Sequence, residues 1–184
     1  MTKAFILLPP LLALAACDSS PDVKLENASV GEVASEMRKQ GKNEFVNPGK
    51  WQQVVTLVDI EAPGMPAEMK SAMSQAAGQK QIHEVCLTEA QAKSPKEDFF
   101  TGADKNCRYR HFNWGNGKID LMLDCKHPNA TQTMALTGGY QPNNYSLAMT
   151  VTNEGAGPAE HMVMTMKVDA KRIGACAPGD AAKG

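Results

Sequence analysis

The stretch that decides the fold is CRYRHFNWGNGKIDLMLDC, residues 107–125. It contains Asn116-Gly117, the pair of residues preferred in a two-residue type I′ turn. Alternating apolar and polar residues flank this pair on both sides, which is typical of a half-buried hairpin. Closing the hairpin at this turn sets Trp114 opposite Ile119 and fixes the pairing of every later position. The sequence therefore predicts two antiparallel strands with one apolar and one polar face.

The predicted register assigns each side chain of the hairpin to a face. The apolar face receives Phe112, Trp114, Ile119, Leu121, Leu123 and Cys125. The polar face receives Tyr109, His111, Asn113, Asp120 and Asp124. Two arginines, Arg108 and Arg110, fall at the open end of the apolar face, where an ordinary salt bridge at the rim explains them.

Further strand patterns lie on both sides of the hairpin. Strands are predicted at Trp51 to Ile60, Ile82 to Leu87, Thr131 to Leu136, Tyr145 to Thr152 and His161 to Ala170. A helix is predicted from Ala67 to Ala77, and a capping box at Ser29-Val30-Gly31-Glu32 begins a short helix that ends near Gln40. We therefore expect a mainly β fold with minor α content. It is a curled or barrel-like antiparallel meander of about seven strands, with one packed helix and a short N-terminal helix.

The N-terminus is typical of a bacterial export signal. Lys3 precedes an apolar run, which is too short to span a bilayer, and small residues then lead to a cysteine. The sequence Leu14-Ala15-Ala16-Cys17 resembles a lipobox, at which the cysteine is acylated and the signal is removed. We predict that the protein lies in the periplasm, anchored to a membrane by acylated Cys17, and that Asp18 favours the inner membrane.

These assignments divide the chain into four parts. They are a lipoprotein signal peptide at 1–16, a tether with a short helix at 17–46, an antiparallel β domain at 47–176 and a flexible tail at 177–184.

The four remaining cysteines, Cys86, Cys107, Cys125 and Cys176, predict two disulfides, because an even number is usual in exported proteins. The predicted register sets Cys107 and Cys125 on opposite faces, so they are not expected to bond each other. Two connectivities stay open. One joins Cys86 to Cys107 and Cys125 to Cys176, and the other is its crossed alternative. We favour the first because both of its loops are shorter.

The composition gives little support to several classes of function. The chain has 19 basic and 20 acidic residues, so charge offers no argument for nucleic acid as a partner. No nucleophile motif, phosphate loop or metal-ligand spacing is present, so we predict no catalytic residue, no metal site and no cofactor. His111 with Asp120 and Asp124 could form an acid/base cluster, but a solvated sheet face explains these side chains better.

The methionines are the strongest functional feature. Five apolar residues of the later strands are candidate lining for a hydrophobic ligand pocket, namely Met134, Leu136, Met149, Met164 and Met166. The alternative is a structural or interaction protein of the cell envelope that uses an edge strand or the polar face. Periplasmic copper handling through methionine thioethers is less favoured, because core packing explains the same spacings.

The order of landmarks along the chain resembles a known family. Asn47-Pro48-Gly49-Lys50-Trp51 opens a strand, Cys86-Leu87-Thr88-Glu89-Ala90 follows, Cys107-Arg108-Tyr109 begins the hairpin, and the chain closes on Lys171-Arg172-Ile173-Gly174-Ala175-Cys176. Together they resemble domain of unknown function 3617, which occurs in exported proteins of Gram-negative bacteria. The resemblance covers about Asn47 to Cys176. It implies an exported, disulfide-containing β-rich domain and supplies no catalytic residue.

Overall fold

The fold was analysed in a computed structural model, which describes residues 23–39, 46–93, 105–155, 157 and 161–177. These residues form eight strands: β1 (Val23–Ser29), β2 (Gly49–Glu61), β3 (Lys80–Leu87), β4 (Cys107–Gly115), β5 (Lys118–Lys126), β6 (Ala130–Gln141), β7 (Asn144–Gly155) and β8 (Met162–Gly174). They also form three helices: α1 (Val30–Lys39), α2 (Ala67–Ala76) and α3 (Glu89–Lys93).

All eight strands belong to one antiparallel sheet. Their order across the sheet is β1-β4-β5-β6-β7-β8-β2-β3, so β1 and β3 are its edges and the sheet is open rather than closed. Strands β4 to β8 form a continuous meander. Strand β2 lies earlier in the sequence and pairs with β8, the last strand of that meander. The prediction of a mainly β antiparallel meander with few helices is confirmed. The described strands number eight because β1 precedes the predicted β domain.

The prediction of a tether at 17–46 is wrong for residues 23–39, which are part of the folded unit. Residues 23–29 form edge strand β1, which pairs with β4 and sets Val23 opposite Trp114. Val23 and Ala28 are buried there. The sequence pattern did not indicate this strand because polar residues lie between Val23 and Ala28. An edge strand needs apolar side chains on one face only. The folded unit therefore begins at or before Val23 and not at residue 47.

Helix α1 begins at the predicted capping box. The backbone nitrogen of Ser29 donates to Oε2 of Glu32 over 2.7 Å, and the backbone nitrogen of Glu32 donates to Oγ of Ser29 over 3.2 Å. Hydrogen bonds from the backbone and hydroxyl of Ser29 lower the pKa of Glu32. Val30, Val33 and Met37 are buried on one side of the helix. The helix therefore packs on the sheet as part of the core.

The hairpin turn has the predicted conformation. Asn116 and Gly117 both have positive φ, 53° and 72°, as a type I′ turn requires. From the turn to His111, which pairs with Met122, the register is the predicted one. The register then shifts between His111 and Tyr109, and Arg110 occupies a β-bulge.

The bulge overturns two predictions about the hairpin. It moves Tyr109 to the apolar face, where the side chain is 2% exposed, whereas the predicted register placed it on the polar face. It also turns Arg108 and Arg110 outward into exposed positions instead of onto the apolar face. The cause is the extra residue, because one insertion reverses the side of every position beyond it.

The disulfide pairing differs from both predicted connectivities. The bulge sets Cys107 opposite Cys125, and these two residues form a disulfide with Cα atoms 4.0 Å apart. The second disulfide joins Cys86, near the end of β3, to Cys176, just beyond β8. The prediction that Cys107 and Cys125 avoid each other is therefore wrong, because it assumed a regular ladder.

One face of the sheet carries the core, and we call it the inner face. Phe112 lies at its centre with no solvent exposure, and Leu121 and Leu123 are 1% exposed beside it. Burying one side chain of this size contributes about 1.5–3 kcal/mol. A smaller cluster lies at the other side of the sheet, where Trp51 and Ala170 are buried against Tyr145. The deepest core therefore lies under β4 and β5, next to β1 and α1.

Candidate functional site

The five predicted pocket residues lie on the inner face of three adjacent strands. Leu136, Met149 and Met166 face one another across β6, β7 and β8. In the next row, Met134 and Met164 flank Val151 across the same strands. The alternation of each strand and the regular register together bring these side chains to one surface.

The five residues differ in how deeply they are buried. Met134 is 9% exposed and Leu136 is 5% exposed, so both belong to the core. Met149, Met164 and Met166 are only half-buried. Helix α1 lies against β1 and β4, and α2 lies against β2. The residues on β6 are therefore more deeply buried than those on β7 and β8.

The half-buried apolar surface continues from β7 across β8 onto β2. Val55 pairs with Val168, which pairs with Leu147, and all three are half-buried. Leu57 pairs with Met166 in the neighbouring row. We call this surface the open half of the inner face, and its members are Val55, Leu57, Leu147, Met149, Met164, Met166 and Val168. None of these side chains carries a charge.

A glycine allows close packing at the border of the open half, where it meets the buried core. Gly138 lies opposite Leu147 in the β6–β7 ladder. A Cβ atom at Gly138 would lie 2.8 Å from Cδ2 of Leu147 and would collide with the carbonyl oxygen of Ser146. Leu147 therefore occupies the space above Gly138, and only glycine allows this approach.

Aromatic and polar groups border the open half towards the β6–β7 turn. The rings of Trp114 and Tyr140 stack with centroids 6.1 Å apart, and Trp51 packs against Tyr145 at 5.6 Å. The hydroxyl of Tyr145 accepts a hydrogen bond of 2.6 Å from Nε2 of Gln53. Burial raises the pKa of Tyr145, and this hydrogen bond opposes the increase. The border therefore combines apolar rings with a few polar atoms, as ligand sites commonly do.

The outer face carries the predicted acid/base group as two separate pairs. Nε2 of His111 lies 3.2 Å from Oδ1 of Asp120. Asp124 instead accepts hydrogen bonds from Nε and Nη2 of Arg110, at 2.5 and 2.9 Å, and one from Thr133 at 2.8 Å. Partial burial raises the pKa of Asp124, but the hydrogen bonds from Arg110 and Thr133 outweigh it, and the net shift is downward. Asp124 is therefore part of a structural ion pair.

Other side chains with metal-binding atoms lie at exposed positions. Among the described residues, no group of three or more histidine, cysteine, aspartate or glutamate side chains could hold a metal ion. Met69 lies on α2 and is 53% exposed. His83 and His161 are both exposed. The described helices also include none that is long and apolar enough to cross a membrane.

The comparison with protein families adds a decisive observation. Residues 46–176 match the family described as "Protein of unknown function (DUF3617)". The chain belongs to the DUF3617 family. The DUF3617 match begins after α1, although β1 and α1 supply part of the core. No curated protein and no solved structure matches the chain.

Several predicted features lie outside the described residues. They are the signal peptide at 1–16, the lipidation site Cys17, Asp18 and most of the tail at 177–184. Sequence reasoning missed β1 and the bulge. The alternation of Val23, Lys24 and Leu25 is a signal that could have indicated β1, whereas nothing local marks Arg110 as a bulge.

Proposed function

We propose that this protein is a lipid-anchored domain of the bacterial cell envelope, and that it binds a hydrophobic molecule on the open half of the inner face. The observation that supports this proposal most directly is the row of half-buried apolar side chains from Met149 through Met166 to Leu57. A continuous apolar surface that is incompletely covered favours a ligand or a partner. No described side chain of this surface offers catalytic chemistry, so binding is the function that it supports.

The chemistry of the open half favours a flexible apolar ligand such as an acyl chain. Three of its members are methionines, Met149, Met164 and Met166, whose unbranched thioethers adapt to ligands of different shape. Tyr145 and Gln53 stand at its border and can hydrogen-bond a polar end group. A ligand with an apolar body and one polar end therefore fits this arrangement.

The cellular location belongs to the same proposal. The lipobox ending at Cys17 supports acylation and membrane anchoring, and Asp18 supports retention at the inner membrane. The disulfides Cys86–Cys176 and Cys107–Cys125 are consistent with an oxidising compartment such as the periplasm. Such an anchor keeps the binding face close to a membrane that contains hydrophobic molecules.

The first experiment is native mass spectrometry of the protein purified from its own membranes with its acyl chains intact. We expect a co-purifying hydrophobic molecule and an acyl mass on Cys17. An absent ligand, together with failure to bind a fluorescent fatty acid in solution, would contradict the binding proposal. The acyl mass on Cys17 tests the anchor separately.

A pair of neighbouring substitutions locates the ligand. Met149→Asp places a carboxylate on the open half, whereas Ala148→Asp places it on the exposed opposite face of the same strand. Because an unpaired charge in an apolar site is costly, we expect Met149→Asp to weaken fatty-acid binding roughly 10- to 100-fold. Ala148→Asp should bind as the unmodified protein does. Equal affinity for both variants would exclude the open half as the site.

Edge strand β3 supports a second candidate function, contact with another envelope protein. Ile82 on this strand is 63% exposed, and β3 pairs with β2 on one side only within the described part of the chain. Such an edge can accept a strand from a partner. Photo-crosslinking from position 82 in cells tests this candidate. An adduct with one defined protein would support it, and the absence of any adduct would reject it.

A further inference from the structure

A groove of about 590 Å³ lies on the outer face, beside the turn of the β4–β5 hairpin. Five polar residues line it: Lys24 of β1, Asn113 of β4, Asn116 of the turn, and Lys118 and Asp120 of β5. It is separate from the open half of the inner face, because Asn113 and Asp120 point away from the core between the buried residues of their strands.

The sheet register explains why these side chains meet. Lys24, Asn113 and Asp120 are direct neighbours across β1, β4 and β5, so they share one row and one face. Lys118 pairs with Gly115, two positions further towards the turn and on the same face. The two lysine side chains therefore flank the groove from different strands.

The groove offers both cationic and accepting groups. Lys24 and Lys118 present two ammonium groups, which suit a phosphate. Asp120 lies beside His111 and presents a carboxylate, and Nδ2 of Asn113 lies 3.5 Å from its Oδ2 atom. A ligand that carries a phosphate and also hydroxyl donors would suit the two ammonium groups and the Asp120 carboxylate.

The position of the groove relative to the anchor identifies the source of such a ligand. Lys24 is seven residues beyond Cys17, and an extended chain covers at most about 3.6 Å per residue. Lys24 therefore stays within roughly 25 Å of the acylated residue. This step depends on the anchor in the proposed function. With Cys17 acylated, the end of the sheet that carries the groove lies within reach of the bilayer surface.

We propose that this groove binds the headgroup of an anionic phospholipid, with phosphatidylglycerol as the chemical type, in the bilayer that holds Cys17. The two lysines contact the phosphate, and Asp120 accepts hydrogen bonds from the headgroup hydroxyls. Headgroup binding orients the domain with the β4–β5 turn towards the membrane.

The test uses the full chain with its acyl chains, reconstituted into nanodiscs of phosphatidylcholine alone or mixed with phosphatidylglycerol. Amide hydrogen exchange is measured at the β4–β5 turn and in β1. We expect slower exchange at both places in the discs that contain phosphatidylglycerol. Equal exchange in the two kinds of disc would overturn the proposal.

Matched variants assign the effect to the groove. Lys24→Gln with Lys118→Gln should lower the apparent affinity for phosphatidylglycerol roughly 30-fold, because each lysine near an anionic surface contributes a factor of about five. Lys80→Gln with Lys126→Gln removes two exposed lysines elsewhere, one of them at the other end of β5, and should change nothing. Equal effects of the two double variants would overturn the assignment.

Two further measurements distinguish lipid binding from binding of a free phosphate ester and from failure of the anchor. Soluble glycerol phosphate, added to discs of phosphatidylcholine, tests a free phosphate ester as the ligand, and the same slowing of exchange there would overturn the lipid proposal. Failure of the anchor has a different signature, because Cys17 would then lack its acyl mass and the protein would leave both kinds of disc. Failure of fatty-acid binding on the inner face leaves the groove experiment unaffected.

Discussion

Cys107 lies directly opposite Cys125 in the β4–β5 ladder, and it does so because Arg110 occupies a bulge three positions further along β4. Without the extra residue, Cys125 would face Arg108. The bulge also aims the Arg110 guanidinium at Asp124, which holds the extra residue on the outer face. One inserted position thus determines the disulfide, the outward ion pair and the burial of Tyr109.

The first prediction concerns the two disulfides. The Cys86–Cys176 bond closes a loop of 90 residues, and the Cys107–Cys125 bond closes one of 18. Because the longer loop restricts the unfolded chain more, replacing the first pair by alanine should cost about 4–5 kcal/mol and replacing the second about 3 kcal/mol. Urea unfolding of both double variants measures the difference. Non-reducing peptide mapping that joined Cys86 to Cys107 would contradict this connectivity.

The second prediction concerns the close approach at Gly138. Gly138→Ala should lower the free energy of unfolding by about 1–3 kcal/mol, because its Cβ would press on Leu147 and on the Ser146 backbone. The neighbouring glycine is the control, since a Cβ at Gly139 would lie 3.5 Å from the nearest atom, which is ordinary contact. Thermal unfolding of the two alanine variants should separate them. Equal melting temperatures would show that the β6–β7 packing is looser than described.

The third prediction tests whether α1 belongs to the folded unit. Met37 is 5% exposed, so Met37→Ala should cost about 2–5 kcal/mol through lost burial and the cavity left behind. Arg38→Ala, at the next and exposed position, should change the stability little. Urea unfolding measures both variants. A Met37→Ala variant as stable as the unmodified protein would mean that the helix is detached.

The fourth prediction concerns acid stability at Asp124. Partial burial raises the pKa of this carboxyl, but the hydrogen bonds from Arg110 and Thr133 outweigh it, so the folded state has the lower pKa. A lowered pKa means that the ionised carboxylate stabilises the fold above its unfolded pKa. This contribution is lost as the pH falls through the folded pKa.

Asp124→Asn should therefore be less stable than the unmodified protein at neutral pH, and the two unfolding free energies should converge in strong acid. Unfolding by urea at a series of pH values measures this convergence. Asp120→Asn, whose partner is His111, is the comparison on the same strand. A constant difference between Asp124→Asn and the unmodified protein at every pH would refute the electrostatic explanation.

Local chemistry explains which features could be predicted from the sequence. Asn116-Gly117 determines its own turn, and Ser29 with Glu32 determines the start of α1, because each involves neighbouring residues. The shared face of Leu147 and Met149 follows from strand alternation alone. The fold class and the set of candidate pocket residues on one face therefore followed from short-range patterns.

Features that depend on distant partners could not be predicted in this way. Strand β1 is stabilised by pairing with β4, more than 70 positions away, and its own sequence is mostly polar. The bulge at Arg110 depends on Asp124 across the ladder. Met134 is buried and Met164 is not because the core lies under β4 and β5, next to β1 and α1. The alternation pattern of a single strand does not indicate where that core lies.

The position of β2 between β8 and β3 has a kinetic consequence. Strands β4 to β8 are joined by successive hairpins, so their contacts are local and can form early. Strand β2 must wait for β8, and only then does Cys86 come near Cys176. The Cys107–Cys125 bond should thus oxidise first, and the Cys86–Cys176 bond should form as the last step of maturation. Thiol trapping during refolding should then detect an intermediate that contains only the Cys107–Cys125 bond.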